Sequence, residues 1–414
     1  MNQLKRVKNI TVALNGQAPY YAIGLISGTS HDGISAALVA IDERRAPPLR
    51  VLAFRSFPYA KALRTRLLRA STGIDGGSSE ISQLNFALGR AFGAAALKIA
   101  GLGPIDLKRL SFIGSHGHTF HHLPPRRARR GETPSTLQLG EPALIAALTG
   151  VPVVADFRPM DLALGGEAAP LAPLAHLWLF GDRQHGRIVQ NVGGIGNATF
   201  LPANPRPADR RVIAFDTGPG NGLIDALAEQ LSSGRARMDR NGAMAARGRI
   251  NHALLGELMR HPYFRRRPPK STGREEFSPA QLATIVTRAR ELGAGNEELI
   301  ATLTAWTARS IADACRRFIL PLGRVDQLIA TGGGAHNPTL MRMLAAELPT
   351  LEVITAARAG VDGDALEAAA FAILGYQMLR GRPGNLPSVT GARAAAILGK
   401  LTLPPGSFGN GRED

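Results

Sequence analysis

Short apolar runs of strand length alternate along this chain with longer segments of helical periodicity. In residues 20–42, an apolar run meets a polar turn of Gly, Thr, Ser and Asp, and a second apolar run follows. Two strands joined by a tight polar turn predict a β-hairpin. Residues 187–201 repeat this layout around a second glycine-rich turn. Further strands that end in glycine-rich sequence lie in residues 212–221 and 327–340.

Segments of helical pattern separate these strands, and they cover residues 79–99, 140–149, 220–231, 299–318 and 365–379. Alternation of strands and helices predicts a mainly parallel sheet in each half of the chain. Because each half begins with a glycine-rich hairpin, we predict an α/β fold of two similar domains with a cleft between them. The Gly, Asp, Gln and His residues at 180–186 indicate the break. The predicted domains are therefore residues 16–185 and 186–400.

Composition narrows the class of protein. The 414 residues are 44% hydrophobic, enough for two or three domains, and no apolar run is long enough to span a membrane. The single cysteine, Cys315, excludes an internal disulfide framework and a cysteine-rich metal site. No sustained apolar segment follows the basic residues 1–11, so we expect no secretory signal and a cytoplasmic protein.

The charge of the chain is strongly positive. The 49 Lys and Arg residues outnumber the 32 Asp and Glu residues and give a net charge of +17. Such an excess is typical of nucleic-acid or anionic-membrane binding, but also of a solvated basic surface. The basic runs are short and scattered, and aromatic residues make up only 5% of the chain. We therefore expect no specific nucleic acid and no membrane as partner, and a surface that attracts small anions.

The turn SGTSHDG, at residues 27–33, is the first candidate site. Its glycines and hydroxyls can direct backbone N–H groups at a phosphate, and Asp32 can hold a divalent cation beside it. The chain contains neither a GxxxxGK[ST] P-loop nor a GxGxxG dinucleotide motif after a strand. One glycine-rich hairpin alone is more often only a turn, but the second one, at residues 187–201, favours a phosphate site.

Two charged residues stand next to predicted strands. Asp216, in FDTGPGN, lies at the carboxyl end of a predicted strand. A carboxylate there can act as a general base or metal ligand or can cap the next helix, and the spacing leaves both open. Arg158, in DFR, follows the apolar residues 151–155. Its guanidinium can bind a carboxylate or phosphate, or can pair with Asp161.

Four histidines lie close together in SHGHTFHH, at residues 115–122. Imidazoles at this density can ligate a metal, but no carboxylate accompanies them, so the usual ligand set is incomplete. We predict instead a substrate-lining loop after a strand at residues 110–114. The sequence KSTGREEF, at residues 270–277, has the composition of a solvated loop.

In their order along the chain, these segments resemble the anhydro-N-acetylmuramic acid kinase family of the actin/hexokinase ATPase superfamily. The resemblance runs from residue 23 to about residue 398 and includes GLISGTSHDG, IGSHGHTFHHLP, ADFRPMDLALGGEAAP, NVGGIGNATF, FDTGPGNGLID, PPKSTGREEF, TGGGAHNPTLM and NLPSVTGA. It implies two actin-like ATPase (ribonuclease H-like) domains with the nucleotide in the interdomain cleft, ATP and Mg²⁺ as cofactors, and a homodimer. The implied reaction opens the 1,6-anhydro ring with water and transfers the ATP γ-phosphate to O6, in cell-wall recycling.

The resemblance also implies roles for individual residues. Asp216 corresponds to the general base that deprotonates the attacking water, and Asp32 to a metal-binding carboxylate. The implied nucleotide-binding positions are Gly28, Thr29, Ser30, His31, Asp32, Gly33, Ile34, Ser35, Gly193, Gly194, Gly332, Gly333 and Gly334. The implied sugar-binding positions are His116, Asp156, Arg158 and Glu367.

Several positions depart from the family pattern, namely His31, Ser35, His118, Glu167 and Ala168. Glu167 replaces a Gln, and a carboxylate there repels an acidic substrate unless Arg158 or another cation neutralises it. A kinase for a different anhydro or amino sugar is therefore an alternative. A second alternative is a non-catalytic ATP-binding regulator on the same scaffold. A third is a metal-dependent peptidase-like relative, in which the histidine cluster would bind the metal. The presence of both Asp32 and Asp216 favours an enzyme.

Overall fold

A computed structural model describes residues 18–28, 31–206, 209–273 and 276–406 of the chain. The described residues form two compact units. One unit contains the residues up to Leu179 together with those from Ala365 onward, and the other is Phe180–Asp364. None of the described helices is long and apolar enough to cross a membrane.

The first unit begins with an antiparallel meander and continues through alternating helices and strands. Its elements up to the boundary are β1 (Tyr20–Ser27), β2 (Gly33–Ile41), β3 (Leu49–Pro58), α1 (Lys61–Ser71), α2 (Ser78–Leu102), β4 (Leu110–Leu123), β5 (Ser135–Leu139), α3 (Pro142–Thr149), β6 (Val153–Ala155), α4 (Arg158–Ala163) and α5 (Ala172–Phe180).

The second unit has the same pattern, with more helices between its strands. Its elements are β7 (Arg187–Val192), β8 (Ile195–Leu201), β9 (Ile213–Pro219), α6 (Gly222–Leu231), α7 (His252–Leu258), α8 (Pro279–Glu291), α9 (Asn296–Ala314), β10 (Gln327–Thr331), α10 (Pro338–Glu347) and β11 (Glu352–Thr355). The chain then returns to the first unit as α11 (Leu366–Leu379), α12 (Pro387–Thr390) and β12 (Lys400–Thr402).

The two sheets share one strand order. In the first, β3, β2 and β1 form an antiparallel meander, and β4 and then β6 follow parallel to β1. In the second, β9, β8 and β7 form the meander, and β10 and then β11 follow parallel to β7. This shared order confirms the prediction of a duplicated α/β fold, and it is the order of a ribonuclease H-like domain. The prediction of a mainly parallel sheet is wrong, because each sheet is mixed: its meander is antiparallel, and only the two strands that follow the meander are added in parallel. Both predicted hairpins, at residues 20–42 and 187–201, are present as β1–β2 and β7–β8.

The predicted helices are also confirmed, with small differences at their ends. They correspond to α2, α3, α6, α9 and α11. The apolar faces of α2 and α3 pack on the first sheet, where Leu84, Leu88 and Phe92 of α2 are fully buried in one core cluster. Helix α9 is almost entirely buried in the second unit and continues into a π-helical turn, Cys315–Ile319.

The structure divides the chain differently from the predicted domains, because the residues from Ala365 onward belong to the first unit rather than to residues 186–400. Helix α11 lies against the central strands β1 and β4, where two glycines provide the space. A Cβ atom on Gly24 would lie 1.8 Å from the carbonyl oxygen of Ala368, and one on Gly114 would lie 2.1 Å from that of Phe371. Local periodicity predicts a helix at this position but does not indicate which of the two sheets the helix packs against.

The glycine contact under α11 can be tested by adding one methyl group. We expect Gly24→Ala to lower the free energy of unfolding by about 2–3 kcal/mol or more, because the new Cβ meets backbone that cannot move without displacing the helix. Urea unfolding measures the effect. The matched control is Gly101→Ala in α2, where a Cβ meets nothing beyond its own helix and should cost nothing or stabilise by about 0.5–1 kcal/mol. Equal stability of the two variants would contradict the contact.

Candidate functional site

The turn between β1 and β2 is the predicted phosphate loop, and Thr29 and Ser30 of this turn lie outside the described residues. His31 has a left-handed backbone, with φ 55°. The Asp32 side chain is 71% exposed and lies 3.7 Å from the guanidinium of Arg64. An exposed carboxylate beside a glycine-rich turn is suited to a hard divalent cation, so the donor set fits Mg²⁺.

The later residues of this loop belong to strand β2. A Cβ on Gly33 would lie 2.2 Å from the carbonyl oxygen of Phe57, so only glycine fits there. Ile34 is buried in the core, and the hydroxyl of Ser35 lies 3.0 Å from that of Ser56 on β3. The side chains of Ile34 and Ser35 are therefore engaged within the first unit.

The predicted sugar-binding residues of the first unit converge around Arg158, at the first turn of α4. Its Nε donates to Nε2 of His116 at 2.8 Å, and its Nη1 donates to the carbonyl oxygen of Ala168 at 2.5 Å. Since Nδ1 of His116 lies 3.0 Å from the carbonyl oxygen of Gly117, that nitrogen carries the proton and Nε2 accepts. Burial, together with the charge of Arg158, holds the pKa of His116 well below its usual value, so the ring is neutral.

Two carboxylates lie near this group. Glu367, on α11, is accessible to solvent but enclosed by protein on most sides, and this enclosure raises its pKa while the charge of Arg158 opposes the rise. Burial lowers the pKa of Arg158 to about 10, and Asp161 and Glu367 counteract the change. Asp156 has a left-handed backbone, with φ 58°, and its carboxylate is paired with Lys400 at 2.8 Å. His116 and Asp156 both line a cavity of about 490 Å³.

Asp161 connects this site to distant parts of the chain and is not the hydrogen-bond partner of Arg158. Its fully buried carboxylate accepts from the N–H of Ala168 at 2.8 Å, from the amide of Asn385 at 2.7 Å and from the hydroxyl of Thr390 at 2.7 Å. Sequence reasoning missed the roles of Asn385 and Thr390, which lie in NLPSVTGA. Asp161 thereby holds the Ala168 carbonyl where Arg158 binds it.

The structure also shows a cation beside Glu167. The guanidinium of Arg126 lies 3.4 Å from its carboxylate. Arg126 is therefore a cation that offsets the negative charge of Glu167.

The histidines lie in a strand, so the prediction of a loop after residue 114 is wrong. Strand β4 continues to Leu123 because β5 pairs with its second half. Nδ1 of His118 lies 3.1 Å from the hydroxyl of Ser27, whereas Nδ1 of His122 lies 3.1 Å from that of Thr136. Burial lowers the pKa of both rings to about 4. In the described part of the chain, no group of three or more His, Cys, Asp or Glu side chains is placed to share a metal ion.

Asp216 lies within β9 of the second unit, and its hydrogen bonds include three to residues 263–272. Its N–H donates to the carbonyl oxygen of Lys270 at 3.1 Å, and its own carbonyl accepts from the hydroxyl of Tyr263 at 2.7 Å. Its Oδ2 accepts from the N–H of Thr272 at 2.9 Å. The N-cap of α6 is Asn221, so Asp216 does not cap that helix. Asp216 is three residues before the end of its strand rather than at the end.

The segment that begins at Lys270 is packed against Asp216, and the prediction of a solvated loop is wrong for Lys270, whereas Ser271 is exposed. The Lys270 side chain is buried, and its ammonium lies 4.6 Å from the ring centre of Tyr263. The signal in the sequence that could have indicated this packing was the family-like motif KSTGREEF. Its composition alone is that of a surface loop.

The predicted nucleotide-binding glycines of the second unit form two close backbone contacts. The carbonyls of Gly193 and Gly194 accept from the N–H groups of residues 220–222, which ties the β7–β8 turn to the start of α6. Gly332 has φ 74°, and a Cβ there would lie 2.3 Å from Oδ1 of Asn191. A Cβ on Gly334 would lie 2.5 Å from Val192, whereas one on Gly333 would have more room.

A second cavity lies beside these glycines, at the carboxyl ends of β10 and β11. It has a volume of about 460 Å³ and is lined by Gly332, His336 and Asp362, among others. The hydroxyl oxygen of Thr331, also in its wall, is buried and has no hydrogen-bond partner among the described residues. The carboxyl ends of parallel strands are the usual ligand edge of such sheets.

Comparison with known proteins identifies the family of the chain. Residues 20–404 match the family model described as anhydro-N-acetylmuramic acid kinase. The enzyme of that name from Caldanaerobacter subterraneus subsp. tengcongensis is 41% identical over 386 residues, which covers 92% of this chain and 96% of that protein. The one from Coxiella burnetii is 42% identical over 379 residues, with the same coverage.

The chain also aligns loosely with a solved kinase structure. A ROK family glucokinase from Streptomyces griseus, in complex with glucose and AMPPNP, aligns with 85% of this chain and 98% of its own length, at 13% identity and a TM-score of 0.39. A superposition this loose does not define a fold, which is instead given by the strand order of the two sheets. The match over residues 20–404 and the identity to both bacterial enzymes decide the family. The chain belongs to the anhydro-N-acetylmuramic acid kinase family.

Proposed function

We propose that this protein uses ATP and water to convert 1,6-anhydro-N-acetylmuramic acid into N-acetylmuramic acid 6-phosphate. The observation that carries the proposal is the family match over residues 20–404. The fixed carboxylate of Asp216 and the enclosed cation of Arg158 support it. Cytoplasmic peptidoglycan recycling by a homodimer follows from the family resemblance and is part of the proposal.

The proposed chemistry begins at Asp216. Its carboxylate takes a proton from a water molecule whose oxygen attacks the anomeric carbon of the sugar. As the new C1–O bond forms, the bond between C1 and O6 breaks, and its electron pair stays on O6. That oxygen attacks the γ-phosphorus of ATP and ADP leaves, so positioning and charge stabilisation provide the catalysis. The N–H of Thr272 on Oδ2 orients the carboxylate for the first step.

The other predicted residues are proposed to bind and orient the nucleotide and the sugar. In the β1–β2 turn, Gly28 and the residues up to Ser35 are proposed to hold the phosphates, and Asp32 to hold Mg²⁺, which neutralises phosphate charge when bound. Gly193, Gly194 and the glycines at 332–334 are proposed nucleotide-binding positions. His116, Asp156, Arg158 and Glu367 are proposed sugar-binding residues, with Arg158 providing positive charge for an acidic sugar.

A kinase for a different anhydro or amino sugar is the second candidate within the same reaction type. It depends on the carboxylate of Glu167, which replaces a neutral side chain and has the guanidinium of Arg126 at 3.4 Å. Because that cation offsets the negative charge of Glu167, the pair is compatible with an acidic sugar, and the first candidate is preferred.

The first prediction concerns the substrate. With Mg²⁺ and ATP, we expect ADP release to rise strongly on addition of anhydro-N-acetylmuramic acid and only weakly with its anhydro-glucosamine counterpart, which lacks the lactyl carboxylate. Mass spectrometry should find a ring-opened 6-phosphate. Stimulation by the second sugar alone would favour the other kinase. Background turnover with every sugar, combined with tight ATP binding, would favour a non-catalytic regulator.

The second prediction separates Asp216 from Asp32. Asp216→Asn should lower kcat by roughly 10²–10⁴-fold with the KM for ATP nearly unchanged, because an amide keeps the shape but cannot accept a proton. Ring opening and phosphoryl transfer should fall together, since both need the same water attack. Asp32→Asn should instead raise the KM for Mg²⁺–ATP. Near-normal turnover of Asp216→Asn would place the base on another carboxylate.

The third prediction concerns Arg158. In Arg158→Lys, one ammonium cannot reach both His116 and the Ala168 carbonyl, and the planar guanidinium is lost. We expect the KM for the sugar to rise about tenfold or more, with the KM for ATP unchanged. Arg90→Lys, at an exposed position of α2, is the matched control and should match the wild type in both constants. An equal rise in both KM values for Arg158→Lys would argue against a sugar-specific role.

A further inference from the structure

Lys270 has no role in the reaction proposed above, yet its surroundings are unusual for a lysine. Only 7% of the residue is exposed. The ammonium nitrogen lies 4.6 Å from the ring centre of Tyr263, 4.9 Å from that of Phe318 and 5.8 Å from that of Phe215. Aromatic faces attract cations, and the attraction is larger where water is excluded. We call these three rings the aromatic cage.

The cage and Asp216 are connected through the main chain. The carbonyl oxygen of Lys270 accepts from the N–H of Asp216 at 3.1 Å, and Thr272, two residues later, donates its N–H to Oδ2 of Asp216 at 2.9 Å. Tyr263, one wall of the cage, donates its hydroxyl to the carbonyl oxygen of Asp216 at 2.7 Å. A displacement of the Lys270 side chain would therefore move one group that holds the Asp216 main chain and one that holds its carboxylate.

We propose that Lys270 is the positioning residue for Asp216: its caged ammonium holds residues 270–272 against β9, and its charge favours the ionised form of the carboxylate. The inference rests on the proposed general-base role of Asp216. Lys270 itself touches neither substrate nor reacting atoms in this account, and it acts through the Asp216 carboxylate.

The charge of Lys270 also gives the reaction a pH dependence. Burial lowers the pKa of Lys270 to about 8, the negative charges of Asp313 and Asp216 oppose this shift, and the positive charges of Arg317 and Arg266 add to it. The remaining titratable group in the cage, the phenol of Tyr263, has its pKa raised by burial and stays neutral. The ammonium is therefore charged at neutral pH and loses its proton as the pH rises through about 8. We expect kcat to fall in the same range, because the neutral amine is no longer attracted to the aromatic faces and residues 270–272 are held less firmly against β9.

The test is the pH profile of kcat for Lys270→Met, which keeps most of the side-chain volume and removes the charge. Removing a nearby cation raises the pKa of a carboxylate. We expect the acid limb to move up by about 0.5–1 pH unit, the alkaline limb near pH 8 to disappear, and kcat at neutral pH to fall about tenfold. Lys270→Arg keeps the charge and should keep the acid limb of the wild type.

Lys98→Met is the matched control. The ammonium of Lys98 lies 5.9 Å from the ring centre of Phe57, in the first unit and on the exposed side of α2, so the same substitution removes a cation–π contact without a link to Asp216. Its pH profile should equal that of the wild type. Circular dichroism and thermal melting confirm that each variant is folded.

The outcomes distinguish this inference from the proposed function. A folded Lys270→Met enzyme with both limbs of the wild type overturns the inference, and if Asp216→Asn is inactive at the same time, the general-base role stands. If Asp216→Asn retains turnover, both the general-base role of Asp216 and the inference about Lys270 are wrong. If Lys270→Met does not fold, the wild type decides: a flat kcat from about pH 7 to 9.5 overturns the inference, and a decline centred near pH 8 supports it.

Discussion

The close approach of α11 to strands β1 and β4 is the constraint on which the first unit depends. Gly24 and Gly114 leave room for the carbonyls of Ala368 and Phe371, so the helix lies directly on the sheet. The same helix carries Glu367, and its Phe371 ring lies 4.5 Å from that of His116. A side chain on either glycine would lift the helix and move the groups around Arg158. The proposed sugar-binding side chains are therefore placed by the packing of the helix backbone on the sheet, in addition to their hydrogen bonds.

Enclosed cations are the common electrostatic feature of both units. Arg158 is held by neutral acceptors, the imidazole of His116 and the Ala168 carbonyl, and Lys270 by aromatic faces. Neither set of partners carries the negative charge of a carboxylate, so the positive charge of each cation is not neutralised by them and still acts on nearby groups. Burial makes such a charge effective over a longer range than at the surface, where water and salt screen it. Most of the other arginines in ion pairs are substantially exposed and contribute little to stability.

Much of the fold could be predicted from the sequence because its determinants are local. The alternation of apolar residues around Gly-rich turns gave β1–β2 and β7–β8, and helical periodicity gave α2, α6, α9 and α11. The candidate residues came from motifs rather than from periodicity, and Arg158 and His116 do meet in the structure. Strand β3 and helices α7 and α8 were not predicted. Two arginines interrupt the apolar residues of β3, α7 has only seven residues, and the apolar face of α8 packs on residues distant in sequence.

What the sequence by itself determined was the type and order of the main elements, the duplicated strand pattern, and the residue types available for chemistry. The tertiary structure alone decided that residues 365–406 return to the first unit, that β5 extends β4 through the histidines, and that Asp161 bonds to Asn385 and Thr390. It also decided that Lys270 is buried against Asp216. The physical reason is the same in each case. Periodicity and turn chemistry act over a few neighbouring residues, whereas burial, pairing and desolvation depend on groups that lie 50 to more than 200 residues apart until the chain folds.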